Sequence, residues 1–323
     1  MPEKVPEMHL ESAGPFFLGF DGGGTKTDCV LIDQHGAVLA SASAGPSNPL
    51  RAGYSQAWFS LSDAADHILE RRNLKAAEIL GVCAGIAGAG REGVARRISK
   101  FLQGSFPAAD IEVTTDLAIT LEAAVGTGEG VVLVAGTGSG AFGRNAQGKF
   151  ARAGGHGPWF SDEGSAYDIG RRALSAAIRS EEGRGPATEI SAKLLQWLNA
   201  ADWTQLTDLV TKTPDEVFPR AFPLVARLAD AGDAVSRQIL SGAADSLAEL
   251  AASVLTALDM KGREVPIVKA GGTVRSSAFF DAVLDAALLR VAPHARIATL
   301  EIKPAEAAAR RALRNGTTKA HAG

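Results

Sequence analysis

The sequence predicts an α/β fold built twice. Two observations carry that prediction. A β-rich apolar run broken by a glycine turn, "FLGFDGGGTKTDCVLID" (Phe17 to Asp33), has a counterpart about one domain later in "VVLVAGTGSGAFGRNAQGKFARAGG" (Val131 to Gly155). Behind each run, strand-like and helix-like segments alternate. At 323 residues and 46% hydrophobic, the chain is long enough to bury two cores.

Each element follows from its local pattern. Residues 16–21 and 28–33 read as strands flanking the glycines, and Asp33 to Gly36 is a turn into a third strand at 37–43, so the first domain opens as a meander. A polar connection containing "GPSNP" (Gly45 to Pro49) leads to a helix over 55–71, where Trp58, Leu61, Ala65, Ile68 and Leu69 recur at helical spacing. "ILGVCAGIAGAG" (Ile79 to Gly90) reads as a buried strand ending in a small-residue loop. A helix over 91–102, a strand over 111–116 and a helix over 117–125 complete the unit. Gly126 to Gly130 reads as a hinge.

The second half restarts with strand, glycine turn, strand, polar turn at "NAQG" and strand. "SDEGSAYDIGRRALSAAIRS" then reads as a capped helix, followed by a helical region to about Leu258, a strand over 265–274 and a helix over 276–289. A last helix, about 305–316, could return to the first domain. The expected domains are therefore 15–125 and 126–304, with residues 1–14, rich in acids and prolines, as a disordered tail.

Composition limits the partners. A net charge of −3, with no Lys/Arg block longer than an isolated pair, gives no electrostatic footprint for nucleic acid or anionic lipid, and no run of about 20 apolar residues predicts a membrane span. The two cysteines, Cys29 and Cys83, fall in strand-like segments and read as core residues of a cytoplasmic protein. A small ligand is the expected partner, and the sequence is compatible with a homodimer.

Two glycine-motif templates fail. "GRNAQGKF" (Gly143 to Phe150) has phosphate-loop spacing up to its lysine, but Phe150 stands where a hydroxyl must ligate magnesium and no helix follows. "GTGSGA" (Gly136 to Ala141) follows a strand as a dinucleotide fingerprint does, yet a hairpin comes next in place of a helix. Taken together, the two turns make a different pattern. Gly22, Gly23, Gly24 and Thr25, and Gly136, Thr137, Gly138 and Ser139, would each aim backbone N–H groups into a concavity suited to phosphate oxygens. Two such hairpins facing each other would grip a polyphosphate. Asp21, at the lip of the first, would then be useful through a cation, magnesium, bound directly or through water. Either stretch alone could be a tight hairpin turn.

The series "DGGGTKT", "GPSN", "TTDLA", "VVLVAGTGSG", "SDEGSAYDIG" and "KAGGTV" resembles, in order, the BadF/BadG/BcrA/BcrD ATPase group of the sugar kinase, actin and Hsp70 superfamily, the group that contains N-acetylglucosamine kinase. The resemblance runs from about Phe17 to the C-terminal helix. It implies two ribonuclease-H-like (actin-like ATPase) domains around a central nucleotide and sugar cleft, with ATP and Mg2+ as cofactors and a small-molecule sugar as substrate. It implies ATP contacts at Gly23, Gly24, Thr25, Lys26, Gly136, Thr137, Gly138, Ser139, Gly271, Gly272 and Thr273. It also implies sugar contacts at Asn48, Gly155 and Asp162, and makes Asp116 of "TTD" both a sugar ligand and the general base. Read without the resemblance, Asp116 could cap a helix, Asn48 could form a turn, and Asp162 and Glu163 could complement a helix dipole. His156 and Trp159 could line a pocket or pack.

Phosphoryl transfer to a hydroxyl needs a phosphate grip, magnesium and a carboxylate for the hydroxyl proton. The resemblance implies an amino-sugar acceptor: N-acetylglucosamine giving the 6-phosphate, glucosamine or N-acetylmuramic acid. "GHGPWFSDEG" and Pro49 depart from the animal N-acetylglucosamine kinases. The alternative in the same group is an activator of a 2-hydroxyacyl-CoA dehydratase or benzoyl-CoA reductase, whose relatives carry an iron–sulfur cluster between subunits. Cys29 and Cys83 fall in predicted core strands and not at a helix N-terminus near the subunit surface, where such a cluster would need its ligands. The purified protein is expected to contain neither iron nor zinc by elemental analysis; stoichiometric iron with a visible absorption band would turn the reading to the activator.

Overall fold

The computed structural model describes residues 14–320, so the tail expected over residues 1–14 lies, but for Gly14, outside the described residues. The chain forms two compact units. One comprises the chain up to Ala123 together with the segment from Ile302, and the other spans Ala124–Glu301.

The first unit holds strands β1 (Phe16–Gly22), β2 (Thr27–Asp33), β3 (Val38–Ala44), β4 (Ile79–Ile86) and β5 (Asp110–Thr114) in the sheet order β3-β2-β1-β4-β5. β1–β2 and β2–β3 pair antiparallel, whereas β1–β4 and β4–β5 pair parallel. Period-two alternation along β1 sorts its side chains between two cores. Phe16, Leu18 and Phe20 join Leu61, Ile68, Val94, Ile98 and Leu102, from helices α2 (Tyr54–Arg72) and α3 (Glu92–Ser105), on one face. Phe17 packs on the other face with Ile119 of helix α4 (Asp116–Val125) and with Ala305, Ala308, Ala309 and Ala312 of the last helix, α11 (Pro304–Ala320). The four alanines fall at i, i+3, i+4 and i+7, a stripe thin enough for backbone to approach the sheet. A Cβ placed on Gly19 would lie 2.1 Å from the Ala305 carbonyl oxygen and 2.1 Å from the Ala309 nitrogen.

The second unit repeats the plan. β6 (Gly130–Ala135), β7 (Ser139–Arg144), β8 (Phe150–Gly154), β9 (Pro266–Ala270) and β10 (Arg296–Thr299) form the order β10-β9-β6-β7-β8. Here too the first three strands pair antiparallel and the later two add in parallel. This is the ribonuclease-H-like connectivity twice over. Helix α5 (Ala166–Glu181) and the helices α6 (Glu189–Leu198), α7 (Trp203–Lys212), α8 (Pro214–Asp230), α9 (Ala234–Ala257) and α10 (Ala278–Val291) contribute to a single core with this sheet. By length and composition α9 could cross a membrane; half of its most apolar window is buried, and Leu240, Leu247 and Val254 belong to the core.

Four local features refine the sequence reading. The helical region before Leu258 is interrupted, because Asn199 adopts a left-handed backbone (φ 57°), Pro214 follows Thr213, and Asp233 accepts from the Ser236 amide as a new N-cap. The strand read over 265–274 ends at Ala270, where Gly271 turns the chain at φ +105°. β10 escapes sequence pattern because it is four residues long and only partly buried. The connection at "GPSNP" contains a one-turn helix, α1 (Pro49–Ala52).

Gly19→Ala is expected to destabilise the protein by about 1–3 kcal/mol, since the added methyl meets backbone that must move. Gly93→Ala, at an exposed position of α3 with nothing within 4 Å of the new methyl, is expected to be neutral or stabilising. Thermal melts compare the two; equal melting temperatures would show that α11 yields freely over β1.

Candidate active site

The predicted residues of the first unit gather at the carboxyl ends of its parallel strands, the edge where ligands of open α/β sheets bind. Asp21 is the penultimate residue of β1, opposite Asp28 on β2 and Gly85 on β4. The glycine turn closes with the Gly23 N–H donating to the Lys26 carbonyl at 2.9 Å. Gly23 also organises the next segment, because its carbonyl accepts from the Ser47 and Asn48 amides at 3.1 and 3.0 Å. The Gly22 carbonyl accepts from Ala87, after β4, at 2.8 Å. Asn48 caps α1, its Oδ1 accepting from the Leu50 N–H at 3.0 Å. Thr25 and Lys26 are exposed on the turn. The Lys26 ammonium donates to Asp28 Oδ2 at 2.6 Å.

Asp116 begins α4, directly after β5. The N-terminal amide of Ala118 is capped by the Thr115 hydroxyl at 3.1 Å. That bond supplies the cap considered for Asp116, and the positive end of α4 favours a carboxylate at Asp116.

Asp21 is electrostatically strained. Burial pushes its carboxyl up from 3.8 to about 7, the charges of Asp116 and then Asp28 push the same way, and Lys26 opposes them. Asp28 goes the other way: burial would raise it, but hydrogen bonds from Lys26 and from the Ser43 hydroxyl at 2.6 Å hold it below its ordinary value. A buried carboxylate with two acidic neighbours suits a cation. Among the described residues no group of three or more His, Cys, Asp or Glu side chains could hold a metal. The donor set therefore fits a magnesium ion carried mainly by phosphate and water. Sequence reasoning did not single out the side chain of Ser47, whose hydroxyl is buried beneath Gly22 without a hydrogen-bond partner.

In the second unit the turn after β6 is locked from behind. The Gly136 and Thr137 carbonyls accept from the Ala166 and Tyr167 amides at the start of α5, at 2.9 and 3.3 Å. The Ser139 hydroxyl donates to the Glu163 carbonyl at 2.6 Å, and the Thr273 hydroxyl and amide both donate to the Ala135 carbonyl, at 2.7 and 3.1 Å. Both hydroxyls thus position backbone. Thr137, Gly271 and Gly272 remain exposed at the turn. A Cβ on Gly271 would lie 2.2 Å from the Ala135 oxygen, so only glycine fits there.

Asp162 is buried with a left-handed backbone (φ 65°). Its carboxylate accepts from the Ser139 and Gly157 amides and lies against Gly138; burial nonetheless raises its pKa. Gly155 (φ +71°) is exposed, its carbonyl held by the Arg152 guanidinium. His156 is exposed, and Trp159, 81% exposed, lines a concavity of about 690 Å³ with Phe160, Tyr167, Arg171 and Phe218. That concavity includes none of the glycine-turn residues. Cys29 and Cys83 are buried thiols; burial raises both, Cys83 to about 12.

A sequence profile of the BadF/BadG/BcrA/BcrD ATPase family matches residues 18–309. The chain belongs to this family. It is 30% identical over 265 residues to an N-acetylmuramic acid/N-acetylglucosamine kinase of Clostridium acetobutylicum, covering 81% of this chain and 86% of that protein. It is 29% identical over 316 residues to an N-acetyl-D-glucosamine kinase of Dictyostelium discoideum, covering 92% and 97%. Among solved structures, a ROK family glucokinase from Streptomyces griseus in complex with glucose and AMPPNP shares the fold, with TM-score 0.62 and 14% identity over 93% of this chain and 99% of that one.

The strain on Asp21 has a measurable sign. Its folded value lies above its unfolded one, so its contribution to stability is full below about pH 4 and is lost as the pH rises through about 7. In chelator, Asp21→Asn is expected to raise the melting temperature at pH 8, by at most about 4 kcal/mol in stability. The gain should shrink progressively towards pH 4. A gain independent of pH would show that Asp21 is not the titrating group.

Proposed function

We propose that the chain is an ATP-dependent sugar kinase that transfers the γ-phosphate to a hydroxyl of an amino sugar, N-acetylglucosamine giving the 6-phosphate, or glucosamine. The observation that carries this reading is the carboxylate pair of Asp21 and Asp116 at the strand ends beside a glycine turn. The relatives named as kinases, which match most of the chain, support the same class of reaction.

The roles follow from charge and placement. The Gly23 and Gly136 N–H groups close their own turns onto the Lys26 and Gly138 carbonyls, so the backbone N–H groups suited to phosphate oxygens are those of Gly24 and Thr25 and of Thr137 and Gly138, with Gly271 and Gly272 suited to a flat nucleoside. Asp21 holds magnesium directly or through water, and magnesium when bound neutralises phosphate charge. The acceptor hydroxyl gives its proton to Asp116 as its oxygen attacks the γ-phosphorus and the bond to the bridging oxygen breaks, releasing ADP. Asn48, Gly155 and Asp162 orient the sugar. Two buried, unpaired cysteines accord with a reducing cytoplasm.

ADP release with Mg-ATP across hexoses, amino sugars and N-acetylated sugars tests the reading, with turnover expected on the last two classes. Asp116→Asn should lower kcat by about 100-fold or more while both substrates still bind, whereas Asp21→Asn should chiefly weaken productive use of Mg-ATP. An Asp116→Asn enzyme that keeps its turnover would show this aspartate is not the base.

A further inference from the structure

Asp116 sits at the corner between β5 and α4, and that corner is gripped from the opposite end of the chain. Glu112 lies on β5, four residues before Asp116, and Glu122 lies on α4, six residues after it. Both meet one guanidinium. Arg311 of α11 donates from Nε to Glu112 Oε2 at 2.9 Å and from Nη2 to Glu112 Oε1 at 2.5 Å, a bidentate fork. Its Nη1 donates to Glu122 Oε2 at 3.0 Å. Asn315 adds a bond to Glu112 Oε2 at 2.7 Å, and Arg314 pairs with the other Glu122 oxygen.

This network differs from a surface ion pair. The Glu122 side chain is only 8% exposed and the Arg311 side chain 30%. Burial works against the Arg311 charge, yet hydrogen bonding and attraction from Glu112 keep the guanidinium above its ordinary range. Planar and multiply bonded, it fixes angles as well as distances. The same helix lies against Gly19, two residues before Asp21, so one rigid element references both acids.

We propose that Arg311 is a positioning residue for phosphoryl transfer: by holding Glu112 and Glu122 on one guanidinium it sets the β5–α4 corner and aims the Asp116 carboxylate at the acceptor hydroxyl. The proposal rests on the reading of Asp116 as the base. A small misplacement of a catalytic group costs rate far more than it costs binding.

The test is a double-mutant cycle, with kcat and both KM values measured on Mg-ATP and N-acetylglucosamine. Arg311→Gln should lower kcat about 10-fold with KM values within about 2-fold. In the Asp116→Asn background the same change should cost less than about 2-fold, because there is no base left to aim. Arg311→Lys, which keeps the charge but not the fork, should recover part of the loss. Arg310→Gln, which removes an exposed i,i+4 pair with Glu306 on the same helix, should leave kcat unchanged. Should Arg311→Gln fail to fold, Glu112→Gln carries the same cycle with the Glu122 bond intact. An equal loss in both backgrounds, or a rise in KM at constant kcat, would overturn the proposal. Undiminished turnover in Asp116→Asn alone would instead remove the base assignment, and the proposal with it.

Discussion

The first unit is organised by a contact that only glycine allows. At Gly19 the central strand β1 carries no side chain, and α11 runs its own backbone through the space one would fill. Because β1 is apolar and packed on both faces, it cannot rotate about its axis without unpacking one core or the other. Its last residues are therefore fixed, and with them the position of Asp21. A carboxylate that could swing into water would keep its ordinary affinity for a proton. Asp21 is held at a half-buried position beside Asp116 and Asp28, and desolvation there and the two neighbouring charges raise its value.

The two units share strand order and handedness of pairing but differ in how their acids are satisfied. In the second unit Asp162 receives two backbone amides, and the glycine turn beside it is fastened to the start of α5. That half is built as a rigid cradle of backbone. In the first unit the carboxylates of Asp21 and Asp116 stand close enough to repel. The two turns are similar, but the mutual repulsion of carboxylates lies beside the first.

Much of this was legible in sequence because it depends on local pattern. The period-two runs around Gly22 and Gly136 identified both meanders, and the helical spacing of Leu61, Ala65 and Ile68 identified α2. What escaped depends on distant partners. β10 is too short to carry a pattern and exists because it pairs with β9. The helix cap at Thr115 could not be told from one at Asp116 in "TTD", since both residue types cap helices. The engagement of the Ser139 and Thr273 hydroxyls with carbonyls of Glu163 and Ala135 is invisible without the fold, as is the convergence of Glu112, Glu122 and Arg311.

The charges around Asp21 work against its ionisation. Lys26 is the cation that acts on it, yet its influence is the weakest of the four, and its ammonium is bonded to Asp28. That pairing satisfies Asp28 and leaves Asp21 unrelieved. A lysine bonded directly to Asp21 would have lowered its proton affinity and stabilised the unliganded protein, but it would also have taken the place of a divalent ion. Lys26 is instead bonded to the cross-strand neighbour Asp28, and the Asp21 carboxyl keeps its raised pKa. A cation bound beside Asp21 would lessen the cost of burying its carboxylate and its repulsion with Asp116 together, so a ligand that brought one would draw binding free energy from strain that the unliganded fold already holds.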